Sequence, residues 1–175
     1  MTEEHDIRKR VKFGTKEYFL KEYFTDDFSH LENTKQVLGI IIDSENRVLL
    51  ISEDEQFWSL PGGTIEPGEN HVQTLKREVF EEAAVEIDET VFVPFFYLKS
   101  FEIRGDDQLF DVSQLRYISR VKSVQNFEKD PGGNIRHRKF VTLDELGKVL
   151  SWGPTNVLIR RYVENFINSG TIYNV

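Results

Sequence analysis

The apolar positions divide the chain into strand-like runs and three helices. Gln36–Asp43 (QVLGIIID) is a β-branched run. The polar stretch SENR then turns the chain back into Arg47–Ser52 (RVLLIS), which together predict a hairpin. Two longer β-like runs follow, Val91–Phe101 and Ser113–Val124, separated by the polar loop RGDDQ at 104–108. A second polar loop, Asn126–Asn134 (NFEKDPGGN), leads into a short strand in RKFVTL. Thr142 and Glu145 have capping-box spacing and predict a helix starting near Leu143. Trp152–Gly170 reads as a closing amphipathic helix with Gly170 past its end. Lys16–Phe24 (KEYFLKEYF) fits either a strand or a short amphipathic helix. Strands interleaved with a few helices, without repeats or an interdomain linker, predict a mixed α/β sandwich.

The remaining helix carries the chemistry. Pro61-Gly62-Gly63 and Pro67-Gly68 predict a loop over Gly62–Glu69 held by two tight turns. Asn70 and Gln73 then have capping-box spacing. Val72, Leu75, Val79 and Ala83 form an apolar stripe covering roughly 80° of the helix circumference. Glu78, Glu81 and Glu82, spaced i, i+3 and i+4, project together, and Glu82 lies about 20° from Leu75, at the edge of the stripe. Like charges so placed repel. Arg77, four residues before Glu81, relieves part of the strain. The ordinary reading of such a trio is a solvated acidic face. Its position beside the core and after a glycine loop points instead to a hard-oxygen site suited to Mg²⁺ or Mn²⁺.

Composition narrows the chemistry further. The 175 residues include no cysteine, which removes disulfides, thiolate nucleophiles and zinc–thiolate sites. The net charge of −8 argues against nucleic acid or anionic membrane as a partner of the whole molecule. The Arg8–Lys12 cluster accordingly reads as a solvated face, with contact to RNA as the lesser alternative. The N-terminus has no signal-peptide core and no apolar run reaches bilayer length, so the expected location is cytoplasmic.

The acidic segment resembles the Nudix box of the Nudix hydrolases, G-x5-E-x7-R-E-U-x-E-E-x-G-U with U a bulky apolar residue. Gly63, Glu69, Arg77, Glu78, Glu81 and Glu82 match six of the seven fixed positions, and Val79 and Val85 match both apolar ones. Ala84 stands where the family has its second glycine, a residue that usually ends the helix in a left-handed turn. The resemblance extends over about residues 36–165 and implies an α/β/α sandwich with a mixed central sheet. It divides the chain into a Nudix domain at 36–170 and an N-terminal extension at 1–35 that would form a strand or a homodimer contact.

The implied activity is divalent-metal-dependent hydrolysis of a phosphoanhydride in a nucleoside diphosphate joined to another group. The substrate would be a nucleoside triphosphate, a nucleotide sugar or a similar small molecule, and the cofactor Mg²⁺ with Mn²⁺ as the alternative. Glu78 and Glu82 would be the main metal ligands, assisted by Glu81 and the Gly62 carbonyl. Arg77 would orient the acids and Glu69 would be partly structural. Glu128 is the first candidate for general base, ahead of Asp130 in the same loop and Glu102. Phe57 and Trp58 would stack on a base, with a core role the equal alternative for Trp58, and Arg116 and Arg120 would meet phosphate or ribose, with Arg104, Arg136 and His137 behind them. The competing reading is a Nudix-fold nucleotide sensor that has lost turnover. The related isopentenyl diphosphate isomerases need a cysteine that this chain lacks. Ser100 and Phe101–Ile103 occupy the positions where the family's ADP-ribose and dinucleoside-polyphosphate subfamilies carry a proline or a tyrosine, and match neither.

Overall fold

A computed structural model describes residues 5–13, 15–24, 34–150 and 155–169. In chain order these form β1 (His5–Phe13), β2 (Lys16–Phe24), β3 (Gln36–Ile42), β4 (Val48–Ser52), β5 (Gly62–Thr64), α1 (His71–Ala83), β6 (Val85–Arg104), β7 (Asp107–Val124), β8 (His137–Val141), α2 (Leu143–Val149) and α3 (Thr155–Ser169). The two ends of the predicted closing helix, Trp152 and Gly170, lie outside the described residues.

One mixed sheet runs β1-β2-β6-β7-β3-β4-β8, with β5 paired to β3. Among the described strands only β3 and β7 are parallel. Helix α1 packs on one face through Leu75, Val79 and Ala83 against Val37, Ile41, Leu49 and Tyr97. On the other face, α2 and α3 pack through Leu146, Ile159, Val163 and Phe166 against Phe24, Ile40, Leu50 and Phe95. The α/β/α sandwich is therefore present, built on alternate side chains of β3 that serve the two cores in turn.

The local signals hold where expected. Asn70 accepts from the Gln73 N–H at 2.9 Å, and the Gln73 side chain accepts from the Asn70 N–H at 2.9 Å. Thr142 and Glu145 close the same box on α2. The SENR turn is held by Asp43, whose Oδ1 accepts from the Glu45 and Arg47 N–H groups. Lys16–Phe24 is the strand of its two alternatives.

Three features differ from the sequence expectations. Gly62–Thr64, expected as loop, is a strand on β3, because glycine lets the backbones meet. A Cβ on Gly62, at φ 140°, would come within 2.2 Å of the Val37 carbonyl oxygen. The stripe of α1 includes buried Thr74, while Val72 is only partly buried. Thr74 tolerates burial because its hydroxyl donates to Glu69 at 2.9 Å. The long hairpin outgrows its apolar runs. Pairing extends β6 and β7 to a tight turn at Gly105, with register shifts that accommodate Pro94.

Ala84 caps α1 in the left-handed region, at φ 49° and ψ 44°, and its N–H donates to the Phe80 carbonyl at 2.8 Å. The helix thus keeps the turn the glycine would make, and Ala84 carries the strain. Relief of about 1–2 kcal/mol, offset by the added freedom of an unfolded glycine, leaves an expected gain of about 0.5–1 kcal/mol for Ala84→Gly. A higher urea midpoint at unchanged slope would show it.

Candidate active site

The acids of α1 face the point where the sheet opens. Strands β3 and β4 pair only at Ile42–Val48. Beyond that pair they splay, and the segment from Ser59 to Thr64 fills the gap. Ser59 bridges to Ile51 of β4, Pro61 accepts from the Gly39 N–H at 2.9 Å, and Gly62 pairs with Leu38 of β3. Glu82 closes this junction by accepting from the Gly62 N–H at 2.8 Å.

Arg77 organises the other acids. Its guanidinium donates to both oxygens of Glu69, at 2.8 and 3.0 Å, to Glu78 at 3.0 Å, to Glu81 at 3.3 Å and to the Thr64 carbonyl at 3.2 Å. Glu69 is therefore the stronger partner, held in a two-point fork. Its carboxyl is lowered to about 2, first by Arg77 and then by Thr74 and the Glu66 N–H. Glu78 rests over Gly63, where a Cβ would lie 2.3 Å from its Oε1. This is the physical reason for the second glycine of the pair.

Burial pushes the Glu82 carboxyl up to about 7, with Glu78, Asp130 and Glu81 adding to the rise and the Gly62 N–H opposing it. Burial likewise pushes Glu78 up, against Arg77. The two ends of the network therefore respond to pH in opposite senses. Glu69, depressed from 4.5, contributes stability above pH 4.5 that is lost as pH falls toward 2. Glu82, raised from 4.5, costs nothing below pH 4.5 and costs progressively more as pH rises through 7. A cation at these carboxylates removes that cost. Added Mg²⁺ is expected to raise the Tm more at pH 8 than at pH 5.5, as read by thermal-shift titration.

Among the described residues, no three His, Asp or Glu side chains converge as a closed cation cage. The donor set nonetheless fits a magnesium-type ion, which keeps most of its water and takes only one or two carboxylates. All the donors are oxygen, and one of them is a half-buried glutamate flanked by three further acids.

Of the two acids in the 126–134 loop, Asp130 is the one whose charge reaches Glu82. Its backbone N–H donates to the Ile135 carbonyl at 2.9 Å, and Ile135 packs into the α1-side core. Its Oδ1 accepts from the Gly132 N–H, while Oδ2 lies where a Cβ on Gly133 would stand. Glu128 is exposed on the outside of the loop. Glu102 sits near the far tip of the β6–β7 hairpin, paired with Arg104 and Lys16.

The opposite face holds a cavity of about 740 Å³, a size suited to a small ligand. Phe57, Trp58 and Arg116 line it together with Lys9, Tyr18 and Glu22 of the N-terminal hairpin. Phe57 is 81% exposed. Trp58 packs on the α2–α3 core and lies under Lys139, with Nζ 3.8 Å from the ring centroid. Arg116 stacks over Phe96 at 4.5 Å, and burial lowers it to about 10, against the pull of Glu22. Arg120 stands elsewhere. It donates to Asn46 and the Asp43 carbonyl at the β3–β4 turn and covers Phe166. His137 faces Glu55 at 3.8 Å.

Sequence reasoning missed Arg138. From β8 it donates to the Ala83 carbonyl, to Ala84 at 3.3 Å and to Gln125 at 2.6 Å, satisfying carbonyls at the end of α1. The only signal for it was the general need of a helix end for donors. The cavity contribution of Lys9, Tyr18 and Glu22 was also missed, because it depends on where the hairpin docks.

A NUDIX domain family model matches residues 32–162. The chain belongs to this family, whose members generally use divalent metals. Over 53 residues it is 43% identical to the 8-oxo-dGDP phosphatase NUDT18 of Homo sapiens, covering 28% of this chain and 16% of that protein. The match therefore spans less than a fifth of the length of this curated relative. Its fold is similar to that of a variant of the Bacillus subtilis pyrophosphohydrolase BsRppH, with a TM-score of 0.64 and 18% identity over 89% of this chain and 94% of the other. It is also similar to that of a C. elegans Ap4A hydrolase, with a TM-score of 0.51 and 19% identity over 77% and 98%. No helix among the described residues is long and apolar enough to cross a membrane.

Proposed function

We propose that the protein hydrolyses a phosphoanhydride bond in a nucleoside diphosphate derivative, using a divalent ion held by the α1 glutamates. The observation that carries this reading is Glu82. It is a half-buried carboxylate among three other acids, fastened to the glycine strand at the opening between β3 and β4.

Glu78 and Glu82 would hold Mg²⁺, or Mn²⁺, with Glu81 and the Gly62 carbonyl assisting. When bound, the ion neutralises the diphosphate and lowers the pKa of nearby water. Arg77 keeps the acids from repelling one another, and Glu69 fixes Arg77 by its fork. Asp130 would accept the proton of the attacking water at its carboxylate. As the water oxygen bonds to phosphorus, the bridging P–O bond breaks and the leaving phosphate takes the electron pair.

The nucleoside or the appended group would occupy the cavity behind the sheet. From Trp58 on its wall, four residues, no more than about 14 Å of chain, lead to Gly62 at the acids. Phe57 and Trp58 would stack on a ring there and Arg116 would donate to its acceptors. Arg120, committed to the β3–β4 turn, has no part in this assignment.

A phosphate-release screen tests the proposal. It would cover nucleoside triphosphates, oxidised nucleotides, nucleotide sugars and dinucleoside polyphosphates with Mg²⁺ or Mn²⁺, and with EDTA as control. Metal-dependent release from one class supports it. Tight binding of a nucleotide with no product in either metal would replace it with the sensor reading.

A further inference from the structure

The sheet extends well past α1, and the face it presents there is chemically unusual for this molecule. Strand pairing sets two parallel rows across β1, β2, β6 and β7. One row is Arg8–Lys21–Lys99, ending beside Lys35, whose N–H donates to the Ser113 carbonyl opposite Lys99. The next is Arg10–Phe19–Phe101–Phe110. Lys12 lies one row further out, across from Glu17. The two main rows are two residues apart along the strands, about 7 Å.

The cations and rings of these rows touch. Lys21 Nζ lies 5.9 Å from the Phe19 centroid and 5.3 Å from that of Phe101, and Lys35 Nζ lies 5.5 Å from Phe110. Lys99 stands 5.6 Å from Tyr97. Phe101 and Phe110 meet edge to face at 5.8 Å, and Phe110 is 46% exposed. Arg10, Lys12, Lys21, Lys35 and Lys99 have no ion-pair partner among the described residues. In a chain with 30 acidic and 22 basic residues, five such cations on one sheet face, beside the exposed ring of Phe110 and the half-buried rings of Phe19 and Phe101, call for an anionic partner from outside.

We propose that this face binds single-stranded RNA. Phosphates would meet Arg10, Lys12, Lys21, Lys35 and Lys99, and unstacked bases would lie on Phe19, Phe101 and Phe110. Sheet-borne rings serve single strands because a duplex hides its base faces, whereas a single strand can splay them. The net charge of −8 does not prevent this, since acids more than about 8 Å away are largely screened at physiological salt. The path to the acidic helix is short. Lys35 accepts from the Ile65 N–H through its carbonyl, and the adjoining Thr64 carbonyl accepts from Arg77. The inference rests on the sheet face alone and does not require hydrolysis.

The test is fluorescence anisotropy with a labelled 12-nucleotide oligoadenylate RNA, in EDTA so that turnover plays no part. The expected result is saturable binding that weakens about a hundred-fold between 50 and 200 mM salt, as five phosphate contacts on a single strand would give. Phe110→Ala should weaken it about five-fold or more, the loss of one stacked base. Arg10→Glu combined with Lys12→Glu should weaken it at least ten-fold, while Lys148→Glu on α2 should leave it unchanged. Circular dichroism would check that each variant is folded. Absence of saturable binding at 50 mM salt would overturn the proposal. So would full-strength binding by Phe110→Ala, which would mean that charge alone attracts the strand. Binding to phosphatidylserine vesicles without binding to the RNA would assign the face to a lipid surface instead. Failure of the metal-dependent screen would leave all of these outcomes readable.

Discussion

Glu82→Gln is expected to lower metal-dependent phosphate release by about a thousand-fold or more while leaving the protein folded. The two parts of that expectation have separate causes. Glutamine keeps the side-chain oxygen that accepts from the Gly62 N–H, so the junction between α1 and the glycine strand persists. What disappears is the negative charge, the one property a divalent ion would need from this position. The same loss should make the metal-free variant as stable as the parent, or more so, at pH 8. It removes a carboxylate whose charge is disfavoured by burial and by Glu78, Asp130 and Glu81. The Tm rise on adding Mg²⁺ should shrink in parallel. Near-normal turnover in Glu82→Gln would sink the assignment of the acidic helix as a catalytic metal site.

Asp130→Asn should cost about a hundred- to ten-thousand-fold in kcat, the usual worth of a positioned proton acceptor. Glu128→Gln, two residues away, should stay within about two-fold on the same scale. The loop is pinned by the Asp130–Ile135 backbone bond and by Ile135 against the core, so Asp130 is partly buried, with its charge adding to the rise at Glu82, while Glu128 is exposed. Asparagine preserves the Gly132 contact and the fit over Gly133, so lost activity would report proton transfer and not a displaced loop. The pH profile of kcat/KM separates the remaining cases, because losing the base removes the acidic limb. The reverse ranking, with Glu128→Gln inactive and Asp130→Asn active, would return the role to Glu128.

Some of this protein was determined locally and could be read along the chain. The caps of α1 and α2, the register of Glu78, Glu81 and Glu82 on one face, and the Asp43 turn each depend on residues a few positions apart. Their geometry follows from helix and turn periodicity wherever the segment lies. At Ala84 the local chain has two options, a strained left-handed turn or a different helix end. The fold chooses the strained turn, with Arg138 of β8 and Gln125, just past β7, holding the neighbouring carbonyls.

Other features had no local signature. Gly62–Thr64 became a strand because β3 accepts it, and a Pro-Gly-Gly run read alone says only turn. The choice between Asp130 and Glu128 depended on which way a pinned loop faces. Arg116 and Arg120 look alike four residues apart on β7, yet one lines the cavity and the other caps a turn. The N-terminal hairpin had no counterpart in the resemblance. Docked on β6, it supplies part of the cavity wall on one side and the cationic, aromatic rows on the other. By itself the sequence determined the helices, their caps and the spacing of the acidic residues, because those are set by contacts within a turn or two. Only the tertiary structure decided which strands pair, which loop acid adds its charge at Glu82 and which cations share a face. Those depend on residues that are distant in the chain and become neighbours when the sheet closes.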